Sequence, residues 1–291
     1  SNAKNMLRIC VILWFVPPYG GGLALEMFRP IDNNGLMYYK IDSFEETGLV
    51  KHCFTTRYGG VSRNEYAQLN LRFHCSDDRE NVLKNFEIIC DEIGVDYKKL
   101  VLSKQVHEDI IYDVTAEDTG NGITKPNKLE SADGLICAEP GIPLVTFYAD
   151  CVPLLFLDKK ERVIAMSHSG WKGTVKNIAA KTIYKMINDY NSKKENILCA
   201  IGPSICVDCF EVGGEVAEIF ADMKCGEDVK YRDKYHDDLQ KTIKNQLLEC
   251  GVENDSITDS GICTFENSEL LFSHRKTNGK RGNMAAVMQL I

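Results

Sequence analysis

The sequence predicts an α+β fold in a single domain, with mixed, largely antiparallel sheets flanked by helices. Three observations carry this. After residue 40, apolar runs of strand length alternate with stretches of helical periodicity. Two long apolar runs, VPLLFLD (152–158) and RVIAMSH (162–168), are joined by the charged turn DKKE (158–161), which predicts an antiparallel hairpin. No repeat, low-complexity segment or linker divides the chain. Antiparallel neighbours argue against a doubly wound parallel sheet.

The elements follow in order. LVKHCFTTR (49–57) reads as a strand, followed by the turn YGGVS. Residues 82, 83, 86, 89, 90 and 93 are apolar, the spacing of an amphipathic helix that Asp77 or Asp78 caps and Gly94 ends. Strands are expected at 99–107, 109–114, 132–138 and 143–149, then in the hairpin. TVKNIAAKTIYKMINDY (174–190) reads as one helix and NILCAIG (196–202) as a strand. Helices follow over 212–223 and 235–251, and strands over 269–275 and 285–291.

The 291 residues are 44% hydrophobic and 26% charged, enough ordinary globular chain for a large core. A net charge of -8 argues against nucleic-acid or membrane-surface binding, which needs a basic field. HRKTNGKR (274–281) is the one basic cluster, either a solvated loop or an anion contact. The twelve cysteines lack the dense spacing of a disulfide scaffold, and Cys90, Cys137 and Cys199 sit inside apolar runs. A reducing, cytoplasmic setting is expected. Residues 1–39 read as a cloning remnant (SNA) and an extension, and 40–291 as the domain. The extension has two early cations and a short apolar core, the outline of a secretion signal. Pro17 and Pro18 break that core, and it is too short to span a bilayer. An alternative puts the natural start at Met27.

G-x-S-x-G, G-x-x-x-x-G-K-[ST] and G-x-G-x-x-G are absent, which removes the usual hydrolase elbow, P-loop and dinucleotide signatures. CVDC (206–209) is a C-x-x-C without the H-x-E and proline of a zinc deaminase, and alone it carries no assignment. His107, Cys151 and His168 lie at strand ends and can converge at one sheet edge if those strands are neighbours. Two imidazoles and a thiolate suit Zn²⁺, or Cu²⁺ less specifically, and three ligands leave one position open. The same residues also fit a Cys151 nucleophile with His168 as base. The plainer alternative is two hydrogen-bonded core histidines and an inert thiol. In HSGWKGT (168–174), Gly170 and Gly173 permit close backbone approach, and a helix start with Lys172 suits an anion.

At these residues the chain resembles the laccase-domain family, known as polyphenol oxidases and as purine nucleoside phosphorylases. TTRYGGVS (55–62), QVH (105–107), ADG (132–134), ADCVPLLF (149–156), HSGWKGT (168–174), IGPSI (201–205), CFEVG (209–213), CTF (263–265) and FSHR (272–275) carry the resemblance in order. It implies zinc on His107, Cys151 and His168, and a fold distantly like the CNF-type deamidating toxin fold. It implies phosphorolysis of adenosine and inosine to base and ribose 1-phosphate, with methylthioadenosine cleavage and adenosine deamination beside it. Copper-dependent phenol oxidation is the older alternative, and a Cys–His hydrolase or a non-catalytic nucleoside-binding protein are others. Purine nucleosides and phosphate are the implied partners, for a monomer or homodimer with no nucleic acid or membrane. On this reading Arg57, Lys172 and Arg275 are phosphate or ribose contacts. His74, on a family histidine, joins Cys151 and His168 as a catalytic candidate. Asp150 either orients a ligand or caps a turn, and Trp171 either stacks on a base or anchors the core. The family's usual Thr-Gly-Arg-Met is replaced: Asn283 stands where it has arginine, and Arg281 is the nearby substitute.

Overall fold

The strands, in chain order, are β1 (Phe28–Asn33), β2 (Leu36–Ile41), β3 (Val50–Thr55), β4 (Val101–Leu102), β5 (Ile111–Asp113), β6 (Gly134–Cys137), β7 (Leu144–Tyr148), β8 (Val152–Asp158), β9 (Val163–Ser169), β10 (Ile197–Ile201), β11 (Glu211–Val212), β12 (Asp228–Tyr231), β13 (Lys234–Asp237), β14 (Ile257–Asp259) and β15 (Met284–Leu290). This computed structural model describes residues 27–223, 228–231 and 234–291, so the apolar N-terminal stretch lies outside it. No helix of the described residues is long and apolar enough to cross a membrane.

One six-stranded sheet runs β1-β2-β3-β15-β7-β4, a second runs β14-β10-β8-β9-β6-β5, and β11-β13-β12 form a small third. Pairing is antiparallel except at β4–β7, β5–β6 and β10–β14. The two large sheets pack face to face, and alternation along each strand sets the layers. In β8, Leu155 and Leu157 join the core between the sheets with Tyr148 and Met288. Leu154 and Phe156 point the other way, against Ile183 and Met186 of the helix Ile178–Tyr190 and Ile243 of the helix Leu239–Glu249. On the outer face of the first sheet, Cys53, Val145 and Val287 pack on Phe86 and Ile89 of the helix Arg79–Ile93. The result is a helix–sheet–sheet–helix sandwich. Strands β8 and β9 are buried along their whole length, which is why they read as unbroken apolar runs. Burying each such Leu or Phe contributes ~1.5–3 kcal/mol.

Five sequence expectations change, the first being the helix expected over 235–251: Tyr235–Asp237 belong to β13, and the helix begins at Leu239. The first sheet takes in residues 28–41, so a boundary at 40 falls inside a hairpin; Asn34 (φ 55) and Gly35 (φ 92) make its tight turn. The expected strand 99–107 is a strand only at 101–102, because the chain then wraps around Asp133. The expected helix 174–190 is two helices, Trp171–Val175 and Ile178–Tyr190, parted by Asn177 at φ 64. Residues 269–275 form a turn leading into the short helix His274–Thr277, where Ser273 caps the Lys276 amide and competes with extended pairing.

Candidate metal centre

Antiparallel pairing of β8 with β9 places the start of one beside the end of the other, with Val152 opposite Ser169 and Pro153 opposite His168. Cys151 therefore sits next to His168. β6 pairs with the other edge of β9, Gly134 opposite Ser167, which brings Asp133 alongside His168. The turn 106–108 closes over Asp133: Val106 and Glu108 donate their amides to Oδ2 at 2.9 Å each, and His107 donates to Oδ1 at 3.1 Å. That wrapping holds His107 at φ 63 and aims its ring at the other two side chains. The donor atoms of His107, Cys151 and His168 lie within 4.8 Å of one another.

His168 is buried, and its Nδ1 lies 2.8 Å from Asp133 Oδ1. A carboxylate only accepts, so Nδ1 carries the proton and Nε2 is left to face Cys151. Cys151 Sγ lies 4.0 Å from His107 Nε2. Zn–S and Zn–N bonds together reach ~4.3 Å, so one ion can touch both. The donor set fits a borderline-soft cation with an open position.

The electrostatics favour a Cys151 thiolate paired with a protonated His168, whose Nε2 proton a cation at this centre would displace. Burial pushes the Cys151 thiol up, but His168 and His107 beside it prevail and bring it down to about 6. Burial disfavours a charged His168, yet the Cys151 sulfur and the Asp133 carboxylate raise it to about 9. Burial raises Asp133, while the His168 bond and the Val106 and Glu108 amides hold it below its ordinary value. A Cβ at Gly170 would lie 3.0 Å from Cys151 Sγ and 3.1 Å from His107 Cδ2, so any side chain there would push both aside by a few tenths of an ångström.

These three side chains line one end of a cavity of about 800 Å³, a size suited to a small organic molecule. His74, exposed, lines the same cavity, as do Arg72, Arg79, Arg281, Phe73 and Phe147. Arg281 donates to Gly282 O and Asn283 Oδ1, while its Nε is buried with no partner. Burial and the nearby Arg72 lower Arg281 to about 10, which leaves it charged at neutral pH.

Arg57, Lys172 and Arg275 are not among the cavity's lining residues. Arg57 donates to Ala67 O (2.8 Å) and Ser268 O (3.1 Å) and lies over the Phe272 ring. Arg275 donates to Glu211 O at 2.9 Å and lies over Phe210, and Lys172 lies over Trp171. Trp171 packs against the core beneath the helices. Asp150 accepts from Thr264 Oγ1 at 2.6 Å and from the Arg275 amide at 2.7 Å, so it ties loops together. In the sequence Asp133 stands in ADG, and its only signal is an acid at the start of an apolar run. Arg72 and Arg79 gave none, since their approach to the centre is tertiary.

Residues 51–291 match the family described as multi-copper polyphenol oxidoreductase laccase. The chain is 33% identical to purine nucleoside phosphorylase YlmD of Bacillus subtilis over 79% of this chain and 85% of that protein. It is 32% identical to adenosine deaminase RL5 of an unknown prokaryotic organism over 81% of this chain and 92% of that protein. The crystal structure of the Bacillus licheniformis hypothetical protein YfiH superposes with a TM-score of 0.83 at 30% identity, covering 91% of this chain and 99% of that one.

Proposed function

This chain belongs to the multi-copper polyphenol oxidoreductase laccase family, and on that premise we propose that it is a zinc-dependent purine nucleoside phosphorylase. It cleaves adenosine or inosine, and methylthioadenosine, with phosphate to free base and ribose 1-phosphate, and deaminates adenosine as a side activity. The observation that carries the reading is one cavity holding both the His107–Cys151–His168 centre and the buried, unpartnered Nε of Arg281. Relatives that carry the names purine nucleoside phosphorylase and adenosine deaminase support it.

His107, Cys151 and His168 would hold the zinc, and Asp133 fixes the His168 tautomer. Bound there, zinc would supply a Lewis acid. Arg281 and Arg72 bind the phosphate through charge-assisted hydrogen bonds. Phe73 and Phe147 give the purine an apolar wall. A phosphate oxygen forms the bond to C1′ as the C1′–N9 bond breaks, and the base leaves with that electron pair. His74, at the cavity wall, is the residue we assign to protonate the leaving purine. Cys53, Cys90, Cys137 and Cys199 are buried thiols without disulfides, which suits a cytoplasmic enzyme.

The test is inosine with and without phosphate, followed by chromatography. Hypoxanthine released only with phosphate is expected. Phenol oxidation by the copper-loaded protein, with no nucleoside cleavage by the zinc form, would replace this reading with the oxidase.

A further inference from the structure

β10 and β14 run parallel, and the segments after them stay together. Ser204 donates to Ile262 O at 3.1 Å, and the Thr264 amide donates to Ser204 O at 3.0 Å. This holds Cys263 beside the start of the turn 206–210. Within that turn the amides of Cys209 and Phe210 both donate to Cys206 O, at 3.1 and 2.9 Å, and so fold Cys209 back over Cys206. The sulfurs of Cys206, Cys209 and Cys263 then lie within 4.8 Å of one another. The Cys206 amide donates to Cys263 Sγ at 3.4 Å, the kind of bond that stabilises a thiolate.

We propose that Cys206, Cys209 and Cys263 form a second metal site, distinct from the His107–Cys151–His168 centre, for a thiophilic cation of the Zn²⁺ or Cu⁺ class. Three thiolates select soft cations over hard ones. A tetrahedral ion with ~2.3 Å bonds to sulfur needs sulfurs ~3.8 Å apart, so closure takes movements of about an ångström. Three thiolates around a divalent ion leave one net negative charge, and Arg275 stands next to it, with Nη1 3.4 Å from Cys209 O. The C-x-x-C supplies two ligands from one turn, and Cys263 supplies the third from 54 positions further on, since 263 minus 209 is 54. Its neighbour Thr264 holds Asp150 at 2.6 Å, directly before Cys151. The second ion therefore fastens the loop on which the first centre rests. This inference does not depend on the phosphorylase reading.

Metal content by mass spectrometry, after zinc reconstitution under reducing conditions, tests it. The wild type is expected to hold about two zinc ions per chain and Cys151→Ala about one, because site formation is thermodynamically linked to metal. Cys206→Ser and Cys209→Ser should each also lose about one. To separate loss of metal from loss of fold, Cys151→Ala, which keeps the three thiols intact, is titrated with Cd²⁺. A strong thiolate-to-metal charge-transfer band that saturates at one equivalent is expected, and parallel titrations with Zn²⁺ and Cu⁺ rank the two cations. Zinc in Cys206→Ser equal to wild type, no band in Cys151→Ala, or an unreduced mass showing a disulfide among the three cysteines in the freshly isolated protein, would overturn the proposal.

Discussion

Replacing Asp133 by Asn removes a buried negative charge and changes the donor pattern beneath the candidate centre, and the consequence for the hydrogen bonds can be worked out atom by atom. The carboxylate accepts four hydrogen bonds: His168 Nδ1 and the His107 amide on Oδ1, and the Val106 and Glu108 amides on Oδ2. An Asn side chain has one accepting oxygen, so two of the four donors lose their partner. If the oxygen keeps Val106 and Glu108, the amide group meets His168 Nδ1, which must then accept. The imidazole proton moves to Nε2, the atom that faces Cys151. If the oxygen keeps His168, the amide group meets two backbone donors at 2.9 Å, and the 106–108 turn that carries His107 is forced away. Each charge-assisted bond lost is worth ~1.5–3 kcal/mol, and loss of a partner behind a ligating histidine costs about 10–100-fold in metal affinity. The assay is zinc titration of the apo-protein against a chromophoric chelator, with thermal melts alongside. An Asp133→Asn protein that binds zinc within about twofold of wild type and melts at the same temperature would refute the argument.

Three further outcomes are expected. Gly170→Ala pushes a methyl group against Cys151 and His107, whereas its φ of -77 suits alanine; zinc affinity by equilibrium dialysis should fall about tenfold while the melting temperature barely moves. Arg281→Met removes a part-buried charge from the cavity and should raise the KM for phosphate about ten- to a hundredfold in steady-state assays, with little change in zinc content. His52 is fully buried, and burial, then nearby Lys40, lowers it to about 3. The unfolded chain protonates this group first, so stability is lost as pH falls from about 6.5 towards 3, by at most about 5 kcal/mol; urea melts of His52→Gln should show a flatter decline over that window.

What could be read in advance depended on whether it was local. The hairpin of β8 and β9 was legible because both strands are buried on both faces and only a charged turn parts them. Cys151 and His168 followed from it, at the ends of those apolar runs, whereas His107 reaches the centre through the turn around Asp133, past a strand that stops at Leu102. The β1–β2 hairpin carried a legible Asn-Gly turn that the assumed boundary at residue 40 concealed. Residues 269–275 look like a strand, but Asn267 O accepts the Leu270 and Leu271 amides and Asp150 accepts the Arg275 amide, donors that a ladder would need. Among the cations the order reversed. Arg57 and Arg275 stand in motif-like segments yet donate to backbone carbonyls. Arg72 and Arg79 line the cavity because of packing between distant segments, which no local pattern records, whereas Arg281 stands in the basic cluster 274–281 that offered an anion contact.

The most direct test of the central claim is quantitative ³¹P NMR of ribose 1-phosphate formed from inosine and phosphate, with hypoxanthine measured in the same samples. Wild-type zinc protein should give about one ribose 1-phosphate per hypoxanthine, and His168→Ala, which lacks the buried imidazole of the candidate centre, should give neither. Hypoxanthine without ribose 1-phosphate, or equal product from both proteins, would contradict the account.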